Sequence, residues 1–280
     1  EPGIEFIWDF DRAVSGLYGA ARAGNPAYHP HTLILDRGMR VAAVIPFVEQ
    51  RAGQHFADVV QALDSLTPLF SLGGFPPILQ VPGVFEPEFC RHLIGEFERR
   101  GDGGQDTGVL RQVGGQTVRV VNDSFKSRRD YEITDAALLA QVHERLRRRL
   151  APAIRQAFQF NATHVERNTI GCYDAADGGR FLPHRDDSTP GSSHRRFAVT
   201  INLNADEYAG GDLRFREFGL QTYRSPTGAA TVFSCSLLHE VLRVERGRRF
   251  AYLPFMHDES AAKLYAVNRQ AVHAATAAAV

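Results

Sequence analysis

The sequence is poor in cysteine, with three in 280 residues. Cys90, Cys172 and Cys235 are far apart and never form a Cys-x-x-Cys pair, so we expect neither a disulfide framework nor a cysteine-ligated zinc site. The chain also lacks net charge, because its 32 basic and 32 acidic residues cancel. No overall field draws it towards nucleic acid or an anionic membrane surface, and we expect neither as a partner.

Long apolar runs are missing as well. No stretch approaches the roughly 18 to 20 apolar residues that a membrane span needs, and the first residues, Glu-Pro-Gly-Ile, lack the basic and then apolar layout of a secretory signal. These absences predict a cytoplasmic protein. The hydrophobic content of 44% over 280 residues is enough for one large domain or two.

Residues 1–70 form the first predicted region. Alternation and turn signals predict a hairpin, from residues 32–36 and 40–47, followed by a helix over 54–66. The segments DFDRAVSGLYGA and HTLILDRGMRVAAVIPF resemble the C-terminal half of a peroxiredoxin-like, thioredoxin-fold domain. The resemblance implies a partial thioredoxin-like element without peroxidase activity, because no cysteine precedes Cys90. We expect a docking appendage or a dimerisation element, and thus a candidate homodimer contact.

A Gly- and Pro-rich stretch over 71–87 predicts a linker, after which Pro87 can open a helix over 88–100. A longer helix is predicted over 135–158, with Asp135 at its start and apolar residues near helical spacing. From residue 164 the pattern changes to short strands separated by Gly, Asp and Pro, which indicates a β-sandwich or barrel. We therefore expect one domain over 88–270 with its core at 164–256, and a tail over 271–280.

A candidate metal site stands out in this β-rich region. His184 and Asp186 form a His-x-Asp pair, which the two-residue period of a strand would point to one face. His239 begins another predicted strand. One carboxylate and two imidazoles suit divalent iron and leave positions open for other ligands.

Several neighbours make this site more specific. Arg249 lies ten residues after His239, on the next predicted strand, where its guanidinium can pair with a carboxylate. The hydroxyl of Tyr173, on a neighbouring strand, can reach the same carboxylate. Glycines 210 and 211 supply a tight turn that lets the strands double back.

Tyr173, the His184-x-Asp186 pair and the segments NLNADEYAGGDLRF and HEVLRVERGRRFAYLPF resemble the prolyl-4-hydroxylase-like branch of the 2-oxoglutarate and iron(II) oxygenases. The resemblance covers residues 164–256 and, more loosely, 80–163. It implies a double-stranded β-helix, a jelly roll with supporting helices, so the expected fold class is α+β and mainly β.

The same resemblance implies an enzyme that uses Fe(II), with 2-oxoglutarate and O2 as co-substrates. Its expected reaction is hydroxylation of a C–H bond in a prolyl-type peptide or a small molecule, with release of succinate and CO2. His184, Asp186 and His239 look like the metal ligands, and Arg249 looks like the residue that binds the C5 carboxylate of 2-oxoglutarate. The further co-substrate contacts that it implies are Tyr173, Asn202 and Thr200.

The segment NDSFKSRRD, residues 122–130, is predicted as a loop near the mouth of the barrel. Its Lys126, Arg128 and Arg129 are candidate contacts for an acidic substrate, and a solvated loop is the alternative of equal weight.

Other functions stay open. A catalytic zinc site in a hydrolase would also suit two histidines and one carboxylate, although a hydrolase has no need of Arg249. The non-enzymatic alternative is a β-sandwich binding or sensing module. Demethylation of nucleic acid by a related oxygenase is disfavoured by the neutral charge. No general base is assigned, so the metal ligands are the only catalytic residues that we expect.

Overall fold

The computed structural model describes residues 9–22, 25–35, 40–71, 74–99, 105–106, 108–113 and 116–278. The chain divides into two compact units, Glu1–Gly74 and Phe75–Val280. Within these described stretches, every helix is too short or too polar to cross a membrane.

The first unit contains two short antiparallel hairpins and three helical segments. Strand β1 pairs with β2, and β3 pairs with β4. The elements in chain order are α1 (Ala13–Leu17), β1 (Ala21–Arg22), β2 (Asn25–Tyr28), β3 (His31–Leu35), β4 (Val41–Pro46), a 3-10 helix (Glu49–Gln54) and α2 (His55–Ser71).

The second hairpin and α2 lie where the sequence predicts a hairpin and a helix. Several large apolar side chains of this unit are exposed, among them Phe10 at 88% and Phe56 at 79%. Residues 1–8, 23–24 and 36–39 of the predicted element over 1–70 lie outside the described residues. Its thioredoxin-like character stays a prediction.

The second unit combines helices with antiparallel sheets. Its strands are β5 (Leu79–Val81), β6 (Gln105–Asp106), β7 (Val109–Val113), β8 (Gln116–Val120), β9 (Lys126–Ser127), β10 (Arg129–Glu132), β11 (His164–Glu166), β12 (Thr169–Asp174), β13 (Arg180–His184), β14 (Phe197–Asn202), β15 (Ala209–Gly210), β16 (Leu213–Arg214), β17 (Thr222–Tyr223), β18 (Ala230–Ser234), β19 (His239–Val241), β20 (Val244–Arg246), β21 (Arg248–Tyr252) and β22 (Phe255–His257).

In the described part of this unit, the strands are accompanied by the α-helices α3 (Pro87–Arg99), α4 (Ala136–Arg145), α5 (Ala151–Phe158) and α6 (Glu259–Ala278). One π-helical turn, Leu146–Leu150, joins α4 to α5, so the helix predicted over 135–158 is confirmed. The Asp135 carboxylate accepts a hydrogen bond from the Leu138 amide at 2.7 Å and so caps its start. Residues 271–278 of the predicted tail continue α6.

Two sheets organise the second unit. The large sheet has nine strands in the order β11-β22-β14-β21-β12-β10-β6, with β18 and β5 extending from β14. The small sheet has the order β17-β16-β19-β13-β9. Helices α3 to α5 pack on one face of the large sheet, where their apolar residues join Ile170, Phe250 and Tyr252 in one buried cluster.

The opposite face of the large sheet packs against the small sheet. Tyr173, Phe233 and Phe255 of the large sheet form a second buried cluster with Phe181 and Val241 of the small sheet. Because side chains alternate along a strand, residues between the helix-facing positions point towards the small sheet. The candidate site residues occupy such positions.

Candidate metal centre

His184, Asp186 and His239 come together at one end of the small sheet. His184 ends β13 and lies opposite His239, the first residue of β19. Asp186 lies beyond the end of β13, so its predicted place within the strand is wrong, and its backbone amide donates a hydrogen bond to the Cys235 carbonyl at 2.9 Å. One donor atom from each of the three residues lies within 4.8 Å of the others.

The two histidines are oriented in the same way. The Nδ1 of His184 lies 2.8 Å from the Leu182 carbonyl oxygen, and the Nδ1 of His239 lies 3.0 Å from that of Leu237. A carbonyl can only accept, so each Nδ1 carries the proton. Each Nε2 therefore presents a lone pair, at 3.7 Å and 3.4 Å from the two Asp186 oxygens, as metal-ligating histidines do.

Electrostatics favour the forms of these side chains that bind a metal. Burial and the nearby His239 lower the pKa of His184 to about 3, which keeps the imidazole neutral. Burial tends to raise the pKa of Asp186, but the neighbouring His239 and His184 lower it overall. A neutral imidazole and an ionised carboxylate are the ligand forms.

Asp187 and Arg248 directly adjoin the predicted site residues Asp186 and Arg249 but have other partners. The Asp187 carboxylate accepts a hydrogen bond from the Ser236 hydroxyl and is outside the metal group. Arg248 pairs with the exposed Glu98, whereas Arg249 is 2% exposed. Asp186 and Arg249 are therefore the members of each pair that reach the interior.

Arg249 enters the same cavity from the large sheet. Its Nη2 donates to the Thr200 hydroxyl at 3.1 Å and to the Asn202 side-chain oxygen at 3.2 Å. Its Nη1 is buried and has no hydrogen-bond partner in the described part of the chain. A buried donor without a partner is costly, and a carboxylate is the ligand that a guanidinium best fits. The residues present thus fit both Fe(II) and 2-oxoglutarate.

The other predicted co-substrate contacts differ in their places. Tyr173 faces Arg249 across the β12–β21 pair, and its ring centre lies 5.3 Å from the Arg249 guanidinium carbon. Tyr173 and Thr200 line the cavity, which has a volume of about 980 Å³. Asn202 is not among the lining residues, and it donates to the Ser225 carbonyl at 2.7 Å. Asn202 therefore contacts Arg249 on the side that faces away from the cavity.

The segment 122–130 is only in part the loop that the sequence predicts, because residues 122–125 form a turn and the rest is mostly strand. Lys126–Ser127 forms β9 and pairs with β13, and Arg129–Glu132 forms β10. Lys126 and Arg128 are buried and line the cavity. Arg129 points elsewhere and pairs with Asp174 at 3.3 Å.

The sequence reading missed the residues that surround these groups. Arg195 donates from Nη1 to the backbone carbonyl of Asp186 at 3.3 Å and from Nη2 to Glu166 at 2.7 Å. Asp130 is buried between Lys126 and Arg128. The sequence contains a pattern that could have predicted the role of Asp130. Residues 126, 128 and 130 follow the two-residue period of one strand face, whereas residue 129 does not.

Comparison with known proteins identifies the class of this site. Residues 169–257 match the model of the 2OG-Fe(II) oxygenase superfamily, where 2OG is 2-oxoglutarate. The matched segment contains all three metal-site residues and Arg249. The resemblance to the 2-oxoglutarate and iron(II) oxygenases is therefore confirmed over these residues. Fe(II), 2-oxoglutarate and O2, the cofactor and co-substrates of that family, agree with the donor set.

Two curated relatives are PKHD-type hydroxylases of Synechococcus sp., strains JA-2-3B'a(2-13) and JA-3-3Ab. Each is 36% identical to this chain over 88 residues, which are 29% of this chain and 38% of the relative. The chain thus spans little more than a third of the length of these relatives.

Solved structures with some likeness include a prolyl-4-hydroxylase from Pseudomonas putida. It is 20% identical, with a TM-score of 0.48, and the alignment covers 71% of this chain and 99% of that one. A prolyl hydroxylase from Trichoplax adhaerens, in complex with a peptide fragment of hypoxia inducible factor, is 14% identical with a TM-score of 0.48. Its alignment covers 78% of this chain and 97% of that one.

Proposed function

We propose that the second unit is an Fe(II)- and 2-oxoglutarate-dependent dioxygenase that hydroxylates a C–H bond, with release of succinate and CO2. The observation that carries this proposal is a single cavity that contains both the His184, Asp186 and His239 group and the unpartnered Nη1 of Arg249. A metal site alone would suit many reactions. The buried guanidinium beside it adds a specific place for a dicarboxylate co-substrate.

The proposed fold is a double-stranded β-helix. Two antiparallel sheets face each other, with helices on the outer face of the large one. His184 and His239 come from the small sheet, Asp186 follows its strand β13, and Arg249 comes from the large sheet. Such an arrangement places the reacting groups between the sheets.

In this mechanism the chain positions the reactants and limits access of water. His184, Asp186 and His239 would hold the metal, and Arg249 would hold the far carboxylate of 2-oxoglutarate. Bound there, the metal and co-substrate with O2 supply the oxidising chemistry. Phe181 stacks on His184 with ring centres 3.5 Å apart, and Phe233 lies 4.6 Å from the His239 ring, so aromatic side chains shield the ligands.

The test is iron-dependent formation of succinate from 2-oxoglutarate by the wild type, His184→Ala and Arg249→Ala. We expect turnover by the wild type and its loss in both variants. The matched controls are His92→Ala, an exposed histidine on α3, and Arg248→Ala, the exposed neighbour of Arg249. Both controls should retain the wild-type rate.

Equal turnover by wild type and both site variants would contradict the proposal, as would its absence from wild type. A zinc-dependent hydrolysis that persists in Arg249→Ala would favour the hydrolase alternative instead. A β-sandwich binding module would bind metal without forming succinate.

A prolyl-type peptide is one proposed substrate, supported by relatives and similar structures that carry the names hydroxylase and prolyl hydroxylase. A small molecule is the other proposed substrate. Candidate peptides and small molecules would each be incubated with the enzyme, and mass spectrometry would show which of them gains one oxygen atom. A homodimer formed through residues 1–70 stays a prediction.

A further inference from the structure

The hydroxyl group of Tyr173 can make a second hydrogen bond inside the cavity. Nη1 of Arg128 donates a hydrogen bond to the Tyr173 hydroxyl oxygen at 3.1 Å. Because a guanidinium can only donate, the hydroxyl accepts this bond and keeps its own proton for another partner. The described part of the chain shows no acceptor for that proton, although Tyr173 is 1% exposed. A buried donor that stays unpaired is costly, so a ligand that accepts this bond would be favoured.

Tyr173 neighbours Arg249, whose side chain has a further donor without a partner. The two residues lie opposite each other in the β12–β21 pair, with 5.3 Å between the Tyr173 ring centre and the Arg249 guanidinium carbon. The buried Nη1 of Arg249 has no hydrogen-bond partner among the described residues. Both side chains line the same cavity. One carboxylate has enough oxygen lone pairs to accept hydrogen bonds from both.

Arg128 is itself held in one orientation. Its Nε and Nη2 donate to the two carboxylate oxygens of Asp130 at 2.5 and 2.8 Å, which is the fork-shaped geometry that arginine forms with a carboxylate. The remaining nitrogen, Nη1, donates to Tyr173. All three nitrogen atoms of the guanidinium therefore donate within the chain. Such a side chain is suited to hold a neighbouring group in place.

Gly171 leaves the space that the Arg128 side chain occupies. Gly171 lies two residues before Tyr173 on β12. A Cβ atom at this position would lie 2.9 Å from Cδ of Arg128, 3.2 Å from its Nε and 2.7 Å from Cδ1 of Leu253. Real Cβ atoms essentially never come within 3.0 Å of another heavy atom. Arg128 can therefore cross β12 towards Tyr173 because residue 171 has no side chain.

We propose that Arg128 is a positioning residue for 2-oxoglutarate: it holds the Tyr173 hydroxyl so that this hydroxyl donates to the C5 carboxylate beside Arg249. This inference rests on the proposed oxygenase function, since it concerns the co-substrate of the same cavity. A hydroxyl hydrogen turns to suit its partners, and a fixed donor on the oxygen limits the directions left for it. The charge of Arg128 also polarises the hydroxyl and strengthens the bond that it donates.

The test compares two ligands that differ only at C5. 2-Oxoglutarate carries a carboxylate there, whereas 2-oxopentanoate carries a hydrogen in its place and keeps the same keto acid end. Each ligand is titrated by calorimetry into the full chain loaded with Zn(II), which prevents turnover. We expect the wild type to bind 2-oxoglutarate at least about tenfold more tightly, because hydrogen bonds to a charged group are strong. The ratio of the two affinities reports the contribution of the C5 carboxylate.

Two single variants should lower this ratio. Tyr173→Phe removes the hydroxyl and should weaken 2-oxoglutarate binding about tenfold, the usual size for a hydrogen bond to a charged group. Arg128→Lys keeps the positive charge, but one ammonium group cannot hold both Asp130 and Tyr173 as the guanidinium does, so we expect a loss of similar size. Neither variant should change binding of 2-oxopentanoate. Arg129→Lys is the matched control, because Arg129 pairs with Asp174, and should leave both affinities unchanged.

A double variant shows whether Arg128 acts through Tyr173. If it does, Arg128→Lys combined with Tyr173→Phe should bind 2-oxoglutarate as tightly as Tyr173→Phe alone. Additive losses would show that Arg128 contacts the ligand itself and would overturn the positioning role. Gly171→Ala displaces Arg128 without a change of charge and should reproduce the loss seen in Arg128→Lys. Its control is Gly95→Ala on α3, where an added Cβ meets no atom within 4 Å.

The proposal is wrong if Arg128→Lys binds 2-oxoglutarate as tightly as Arg129→Lys does, or if it weakens both ligands equally, as a general structural defect would. Thermal melting and Zn(II) stoichiometry report whether each variant folds. If Arg128→Lys fails to fold, Gly171→Ala alone and combined with Tyr173→Phe gives the same comparison. Equal affinity of the wild type for both ligands would contradict the proposed function itself, because the cavity would then make no use of the C5 carboxylate.

Discussion

At the metal end of the cavity, each histidine is oriented by a backbone carbonyl two residues before it. At the opposite end, Arg249 is oriented by two side chains, Thr200 and Asn202. The first arrangement needs only the local strand geometry. The second depends on hydroxyl and amide groups that a single substitution can remove, so substitutions of the surrounding side chains should alter 2-oxoglutarate affinity more than metal affinity.

The largest expected effect separates two adjacent carboxylates at the metal end. Asp186→Ala should lower Fe(II) affinity by about three orders of magnitude, because it removes one of three protein ligands; for comparison, a structural zinc site with four protein ligands is worth roughly 10 to 16 kcal/mol. Asp187→Ala should leave the affinity unchanged, since Asp187 bonds to Ser236. Anaerobic titration calorimetry measures both. Similar losses in the two variants would show that the ligand is misassigned.

Glu166 and Arg195 form a buried ion pair next to Asp186. Breaking this pair tests whether the metal end of the cavity also depends on surrounding side chains. Burial raises the pKa of Glu166, but the hydrogen bond from His194 and the charge of Arg195 outweigh it and lower the pKa from 4.5 to about 2. The ionised form therefore stabilises the fold fully above pH 4.5. This contribution is lost as the pH falls from 4.5 towards 2.

Glu166→Gln should accordingly lower the free energy of unfolding at pH 7 by roughly 2 to 3 kcal/mol and flatten its dependence below pH 4.5. Chemical denaturation at several pH values measures this. Because Arg195 donates its hydrogen bond to the backbone carbonyl of Asp186 and not to the carboxylate, Fe(II) affinity should change far less than in Asp186→Ala. If Glu166→Gln lost as much Fe(II) affinity as Asp186→Ala does, the metal end would depend on surrounding side chains as the Arg249 end does.

At the Arg249 end of the cavity, Arg249→Lys keeps the charge but removes the planar guanidinium. Lysine cannot make the two-fold pair with a carboxylate, so KM for 2-oxoglutarate should rise roughly 10- to 100-fold, as for other charged hydrogen bonds. Fe(II) affinity should stay the same. Steady-state succinate kinetics give the first value and calorimetry the second. If Arg249→Lys weakened Fe(II) binding as well as 2-oxoglutarate binding, Arg249 would support the metal site rather than the co-substrate.

The smallest effect is expected from Thr200→Val, which removes one acceptor of Arg249 with little change of volume. Thr200 accepts from a charged guanidinium, but it acts on 2-oxoglutarate only by orienting Arg249, so we expect an effect of about 1 kcal/mol, a roughly fivefold rise in KM for 2-oxoglutarate with little change in kcat. Thr227→Val is a suitable control, because its hydroxyl bonds to the Ala205 amide and not to Arg249. If Thr200→Val and Thr227→Val had the same KM for 2-oxoglutarate, Thr200 would not contribute to binding of the co-substrate.

The metal group could be predicted from sequence because its residue types and spacing are distinctive. His184 and Asp186 are two residues apart, and His239 starts a strand. Asp135 was predictable as a helix start for a similar reason, since a cap is a local signal. Asp186 nevertheless lies past the strand end, where its amide bonds to Cys235. That contact joins residues distant in sequence and leaves no local pattern.

The basic segment shows where sequence reasoning failed. Its polar composition predicts a loop, yet β9 is held by pairing with β13, where Lys126 lies opposite Phe181. Charged side chains are seldom buried unless they are paired, and the pairing of Lys126 and Arg128 with Asp130 becomes visible only with three-dimensional contacts. The sequence therefore grouped Arg129 with two residues that face the other way.

By itself, the sequence determined the donor set, one carboxylate and two imidazoles, together with a strand pattern that could bring them together. Only the tertiary structure decided what surrounds them. Arg249 meets Thr200 and Asn202 through pairing of β14 with β21, and Arg128 meets Tyr173 across 45 residues. Residue type sets which ligand a side chain can bind, whereas long-range strand register sets which side chains share one cavity.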